Sequence, residues 1–176
     1  MSRLQNTQYV LEGLPDLMEL DTGLRKSQRR VLNTYLEADM DKKQTGVFNL
    51  ATGFGKTRMM SILALAYKRA NPDGKVLIVV PSTSLIKDEN GDGVVKKFHV
   101  YNKKDLKSDS NLDFGTYYGE GVKSTGTEFT VTTYNSLPKY AKKINPKDIG
   151  LLLLDEAHHA LSEARSETIT NQYPLG

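Results

Sequence analysis

The sequence predicts an α/β fold in which a mostly parallel β-sheet is flanked by helices. Three observations carry that expectation. The apolar runs Val76–Val80 and Ile149–Leu154 are short, bounded by turn or polar residues, and read as buried strands. Segments of helical periodicity separate the strands, and strand-helix-strand order brings the chain back parallel to where it left. A glycine-rich stretch, residues 50–57, lies between a strand signal and a helix signal.

Composition agrees with one soluble globular domain. A chain of 176 residues can bury roughly 70% of its unfolded surface, enough for a core. With 38% hydrophobic and 26% charged residues it is too apolar for a disordered tail and too polar for a membrane bundle. Cysteine is absent, which excludes disulfide frameworks, zinc-thiolate clusters and thiol nucleophiles. The polar start, residues 1–10, does not read as a signal peptide. No apolar run approaches the roughly 20 residues that span a bilayer. A cytoplasmic protein with no membrane partner is expected. The net charge of +3, from 24 basic and 21 acidic residues, is too small to argue by itself for a nucleic-acid partner.

Taken in order, residues 11–20 are broken by Gly13-Leu14-Pro15 and form, with the start of the chain, a lead-in (1–23) without an assigned element. Residues 24–38 place Leu24, Gln28, Val31, Leu32, Tyr35 and Leu36 on one helical face. A charged turn (39–45) leads to a short strand at 46–50. Residues 58–70 are apolar nearly all round, as in a helix buried against a sheet. Asn71-Pro72-Asp73-Gly74 stops it, Lys75–Val80 is a strand ended by Pro81, and a helix is expected to begin within 82–88. Between 89 and 126 the signal weakens, with 98–101 and Phe114–Tyr118 as small strands. Residues 129–134 form a strand, 135–143 a short helix interrupted by Pro138, and Ile149–Leu154 a strand running into Asp155. Residues 157–170 are expected to be helical.

Chemistry is concentrated at two places. In Leu50-Ala-Thr-Gly-Phe-Gly-Lys-Thr57, Gly53 and Gly55 let the backbone approach an anion at a helix start. Lys56 can reach β- and γ-phosphates, and Thr57 can put its hydroxyl on Mg²⁺. The strict phosphate-loop pattern has glycine where this chain has Leu50, and a plain structural turn is the alternative. Asp155 and Glu156 emerge at the tip of a leucine-rich strand, where Asp155 could hold Mg²⁺ through water and Glu156 could orient and deprotonate an attacking water. The alternative is an acidic cap on the following helix. His158 and His159 are adjacent, face different ways on a helix and lack a third ligand, which argues against zinc. His158 reads better as a polar link from the nucleotide site to another surface.

These residues resemble the first RecA-like lobe of a superfamily 2 helicase or translocase, a P-loop NTPase lobe. Residues 51–57 resemble motif I, and Asp155-Glu-Ala-His158 resembles motif II of the Asp-Glu-Ala-His type. Residues 79–85 are similar to motif Ia, Tyr118-Gly-Glu-Gly121 to the small glycine motif, and 131–137 to the Thr-rich motif before motif II. Leu24-Arg-Lys-Ser-Gln28 resembles the adenine-recognising Q motif.

The resemblance implies ATP and Mg²⁺ as cofactors, with Thr57 and Asp155 at the metal. Arg25, Gln28, Thr52, Gly53, Phe54, Gly55, Lys56, Thr57 and Arg58 would bind nucleotide, Gln28 by reading adenine. Lys56, Asp155, Glu156 and His158 would be catalytic. Pro81, Ser82, Thr83, Thr132, Thr133 and Ser136 would touch a nucleic-acid backbone, with Lys96, Lys97, Lys103, Lys104 and Lys107, and Lys139, Lys142, Lys143 and Lys147, as local positive charge. The closest similarity is to restriction-enzyme motor subunits (type III restriction subunits) and DNA repair translocases, which implies DNA rather than RNA. It also implies a second RecA-like lobe, which this chain lacks, so residues 24–176 are expected to be a lobe incomplete at its C-terminus, binding ATP with little hydrolysis alone. An inactive binding module, or a P-loop ATPase acting elsewhere than on nucleic acid, are the alternatives.

Overall fold

The computed structural model describes residues 3–37, 48–51, 53–86, 93–119, 121–125, 127–140, 143–144 and 148–156. They fall into two compact units, one drawn from 1–72 and 98–110, the other from 73–97 and 111–175.

The first unit opens with helix α1, Arg3–Leu20, which runs straight through Gly13-Leu14-Pro15. The sequence alone left this stretch without an element; packing makes it a helix. Val10, Leu14, Leu17 and Met18 are buried at helical spacing, while Pro15 stays exposed. Gly13 lies where α1 crosses helix α3, Lys56–Ala70, and a Cβ there would sit 2.0 Å from the carbonyl oxygen of Ala66. The glycine that weakens the isolated helix is thus what lets it dock. Helix α2 spans Lys26–Glu37 and buries Gln28 and Leu32, with Leu24 buried just before it. Arg29 reaches from α2 to the carbonyls of Met18 (2.9 Å) and Asp21 (2.6 Å), satisfying acceptors at the end of α1.

Helix α3 is buried from Ser61 to Tyr67 and at Met59, as its apolar composition requires. Lys68 and Arg69 occupy its last turn, where positive charge suits the helix dipole. The strand expected at 46–50 is not observed at 48–50; 46 and 47 lie outside the described residues. Phe48 instead packs its ring on Tyr35 of α2, centroids 5.3 Å apart. Another correction concerns 98–101. Helix α4 covers Val94–Val100, and a single π-helical turn continues over Tyr101–Asp105. Val94, Phe98 and Tyr101 are buried at spacings of four and three, so a helical period was hidden in residues of strong β-propensity.

The second unit is built on a five-stranded sheet: β1 Lys75–Val80, β2 Phe114–Tyr118, β3 Gly121–Thr125, β4 Phe129–Thr133 and β5 Ile149–Leu154, in the order β3-β2-β4-β1-β5. Four strands are parallel, and β3 turns back antiparallel on β2 at the edge. Central β1 is buried from Val76 to Val80, which explains its unbroken apolar run. Register pairs Val80 with Thr133 and Val79 with Leu154, so β1, β4 and β5 end together. Helix α5, Leu137–Tyr140, carries Pro138 in its first turn, where no helical N–H is required. Leu77, Val79, Tyr134, Leu137, Tyr140 and Ile144 form one core cluster. Where a helix was expected to begin in 82–88, Thr83–Leu85 make one 3₁₀ turn. The helix expected at 157–170, with His158 and His159, lies outside the described residues, as does Thr52. Among the described residues no helix is long and apolar enough to cross a membrane.

Candidate functional site

In the first unit the glycine loop turns tightly, with the Phe54 N–H donating to the Ala51 carbonyl at 3.1 Å. Gly53 and Gly55 have φ of 81° and 86°, the left-handed region that side chains disfavour. At Gly55 space is limiting as well, since a Cβ would meet Gln28 Nε2 at 2.7 Å and Arg25 Nη2 at 3.4 Å. Around Gly53 nothing lies within 4 Å of such a Cβ. Only the backbone conformation demands glycine there.

Arg25 and Gln28 brace this loop from behind. Arg25 Nη2 donates to the carbonyls of Gly53, at 3.0 Å, and Phe54. Gln28 Nε2 donates to the Phe54 carbonyl at 2.9 Å, and its Oε1 accepts from the Arg25 backbone N–H at 2.9 Å. Because a trans peptide sets C=O and N–H on opposite sides, anchoring the Phe54 carbonyl aims the Gly55 N–H away from Arg25 and Gln28. Lys56 and Thr57 then open α3, both half-buried, with no acidic residue in that first turn. Left-handed glycines, an oriented peptide, a lysine and a helix N-terminus free of acids fit a phosphate group.

Arg58, the next residue, is engaged elsewhere in the unit. Its guanidinium meets Asp21 at 2.5 Å and Asp105 at 3.1 Å, and lies 5.3 Å over the Tyr101 ring. Tyr101 also donates its hydroxyl to Asp21 at 2.7 Å. Asp21 is fully buried, so its charge is compensated by these donors and by the Gly23 N–H at 3.0 Å. Burial, reinforced by the hydrogen bond and charge of Asp21, pushes the Tyr101 hydroxyl well above its usual range. Burial works against the Arg58 cation, but the bond and charge of Asp21, with Asp105, outweigh it and raise its proton affinity. Asp21, Tyr101 and Asp105 were not singled out from sequence, because their partners lie tens of residues away and no short motif joins them.

In the second unit the shared strand ends gather the other candidates. The Asp155 N–H donates to the Val79 carbonyl at 2.9 Å, and the hydroxyl of Tyr134 donates to the Asp155 carbonyl at 2.7 Å. Glu156, half-buried, has φ of 51°, unusual for a residue with a side chain. The six nucleic-acid candidates divide. Ser82 and Thr83 are exposed and Pro81 partly so. Thr132, Thr133 and Ser136 are buried, with Thr132 donating to the Tyr117 carbonyl at 2.7 Å and Thr133 Oγ1 to Ser136 Oγ at 2.9 Å. Lys96, Lys97, Lys103, Lys104, Lys107, Lys139 and Lys143 are exposed, while Lys142 and Lys147 lie outside the described residues. Lys139 Nζ and the Tyr140 hydroxyl both donate to the Gly119 carbonyl, at 3.0 and 2.8 Å, clasping the turn between β2 and β3.

Among the described residues no group of three His, Cys, Asp or Glu side chains could hold a metal ion. A magnesium ion bound with a nucleotide needs only one or two protein ligands, since phosphates and water supply the rest. No curated protein matches the chain. The family model described as type III restriction enzyme, res subunit, matches residues 21–175. That family comprises ATP-binding, helicase-like first lobes of superfamily 2 with the RecA-like fold, to which the parallel sheet conforms. With the match covering nearly the whole sequence, the chain belongs to the type III restriction enzyme res subunit family.

Proposed function

We propose that this chain is the ATP-binding lobe of a DNA helicase or translocase of the Asp-Glu-Ala-His type, coupling Mg-ATP hydrolysis to movement on nucleic acid. The observation that carries the reading is the loop at residues 53–55, whose two left-handed glycines are braced by Arg25 and Gln28 at the start of α3. Its backbone N–H groups and Lys56 would hold the phosphates; Thr57 and Asp155 would hold Mg²⁺. Bound there, Mg²⁺ neutralises charge on the phosphate oxygens. Glu156 would take the proton of the attacking water, and His158 would link that site to the nucleic-acid face. Gln28 serves first to fix the loop, with its remaining amide N–H directed to adenine. Ser82, Thr83 and Pro81 would contact the nucleic-acid backbone, and Thr132, Thr133 and Ser136 would shape the loop beside them.

A second RecA-like lobe would supply the arginine that completes hydrolysis, so the chain by itself should bind ATP and turn it over slowly. The cysteine-free composition suits a cytoplasmic setting. The test is binding of a fluorescent ATP analogue with Mg²⁺ by the parent and Lys56→Ala, with ATPase measured on single-stranded DNA, double-stranded DNA and RNA. Binding lost in Lys56→Ala, together with DNA binding, supports the reading. Binding that ignores Lys56, or turnover indifferent to every nucleic acid when the second lobe is present, refutes it.

A further inference from the structure

We infer that Arg58 is a positioning residue for nucleotide binding: through Asp21 and Asp105 it sets the direction of the first turn of α3, and so places Lys56 and Thr57, without touching the nucleotide itself. The inference rests on the ATP-binding reading above and departs from the expectation that Arg58 binds nucleotide. Every residue it uses belongs to the first unit.

Residues 21–28 grip the glycine loop on both sides. Before Gly55, the carbonyls of Gly53 and Phe54 are held by Arg25 and Gln28. After it, the chain is held again at Arg58, whose Nη2 meets Asp21 Oδ1 at 2.5 Å and Asp105 Oδ1 at 3.1 Å. Gly55, Lys56 and Thr57 lie between the two grips. The Met59 N–H donates to the Gly55 carbonyl at 3.1 Å, so these residues already form a closed helical turn. At about 100° per residue, Lys56 leaves the helix axis roughly 200° round from Arg58. Anchoring Arg58 on one side of the turn therefore sets where Lys56 and Thr57 are presented on the others.

The anchor is built for position more than for strength. Asp21 is fully buried and held by the Gly23 N–H at 3.0 Å and the Tyr101 hydroxyl at 2.7 Å, so it offers Arg58 a fixed point. Gly23 clears the approach, since a Cβ there would lie 2.9 Å from Arg58 Nη2. Yet Nη2 alone makes both ion pairs, and Nε is buried without a partner among the described residues. A guanidinium serving stability alone is best placed with two N–H groups on one carboxylate and none left unsatisfied. Two carboxylates against one cation also leave a local excess of negative charge, which repels a phosphate. The arrangement suits holding the turn and does not suit binding the anion.

The sign of one substitution separates the two roles. Asp105→Ala takes away negative charge, so it should strengthen nucleotide binding if Arg58 acts on the phosphates as a cation, and weaken it if Arg58 acts through Asp105. Arg58→Ala would strand the buried charge of Asp21, so the second variant is Arg58→Lys, which keeps the charge but not the planar fork. The 176-residue chain and its variants are titrated with a fluorescent ATP analogue and Mg²⁺ at a temperature where thermal melts keep all of them folded. Asp105→Ala and Arg58→Lys should each weaken binding about fivefold, and the double variant no more than about twofold beyond either, as a coupled pair does. Gly13→Ala, whose added Cβ presses on Ala66 far along α3, should lose stability yet bind within about twofold of the parent. Unchanged or tighter binding by Asp105→Ala overturns the inference, as do losses that multiply in the double variant. An equal loss in Gly13→Ala overturns it too, because affinity would then simply follow stability. A parent that fails to bind, or binding indifferent to Lys56→Ala, instead overturns the functional reading itself.

Discussion

The side-chain amide of Gln28 donates to the main-chain carbonyl of Phe54 across 2.9 Å, fastening α2 to the middle of the glycine loop. The same amide accepts from Arg25, and it is almost completely buried. Gln28→Ala should leave both partners without this amide, at a cost of about 1–3 kcal/mol. The expected outcome is roughly tenfold weaker binding of an ATP analogue and a melting temperature lower by about 2–4 °C per kcal/mol lost. Isothermal titration and a thermal melt check this, and unchanged affinity would mean that the brace does not shape the loop.

The two glycines of that loop should respond unequally. Gly53→Ala meets only the left-handed backbone penalty, about 1–2 kcal/mol. Gly55→Ala adds a collision with Gln28 and Arg25. Nucleotide affinity should therefore fall further in Gly55→Ala, and equal losses would remove the steric part of this explanation.

Alkaline stability should report the bond from Tyr101 to Asp21. The folded state holds the Tyr101 proton above its ordinary pKa of 10.0, so the contribution is fully present below about pH 10 and is lost as pH rises beyond it. Tyr101→Phe should cost about 1.5–3 kcal/mol at neutral pH, as a hydrogen bond to a charged acceptor does. The gap between parent and variant should narrow between pH 10 and 11 in urea unfolding. A constant gap would sink the assignment.

Gly13→Ala sets helix propensity against packing. Alanine gains about 1 kcal/mol within a helix. Its Cβ would nevertheless press on the Ala66 carbonyl, forcing α1 and α3 apart. Net destabilisation of about 1–3 kcal/mol is expected from overpacking, and a stabilised variant in urea titration would contradict the crossing.

Strands Lys75–Val80 and Ile149–Leu154 were legible to the residue from apolar runs bounded by turn or polar residues, whereas of the two short stretches read as strands between 89 and 126 only Phe114–Tyr118 is one. The turn through Gly53 and Gly55 into a helix opening at Lys56 was legible because closely spaced glycines between a strand signal and a helix signal mark a tight turn. Residues 11–20 were not, since the benefit of Gly13 appears only against Ala66 in α3. Nor was the helix at 94–100, where Phe98, Val100 and Tyr101 favour strands locally and burial at helical spacing prevails. The engagement of Arg58 by Asp21 and Asp105 depends on contacts 37 and 47 residues distant, which no local pattern encodes.

Val79 and Val80 are consecutive, yet the first accepts from Asp155 just after β5 and the second from Tyr134 just after β4. A single inserted or deleted residue in β1 would exchange these roles and turn every apolar side chain to the opposite face. Substitutions among valine, isoleucine and leucine preserve both anchor points. The strand is therefore free to drift in spelling but not in length: a library of insertions and deletions should leave a gap across 75–80 where a library of aliphatic replacements does not.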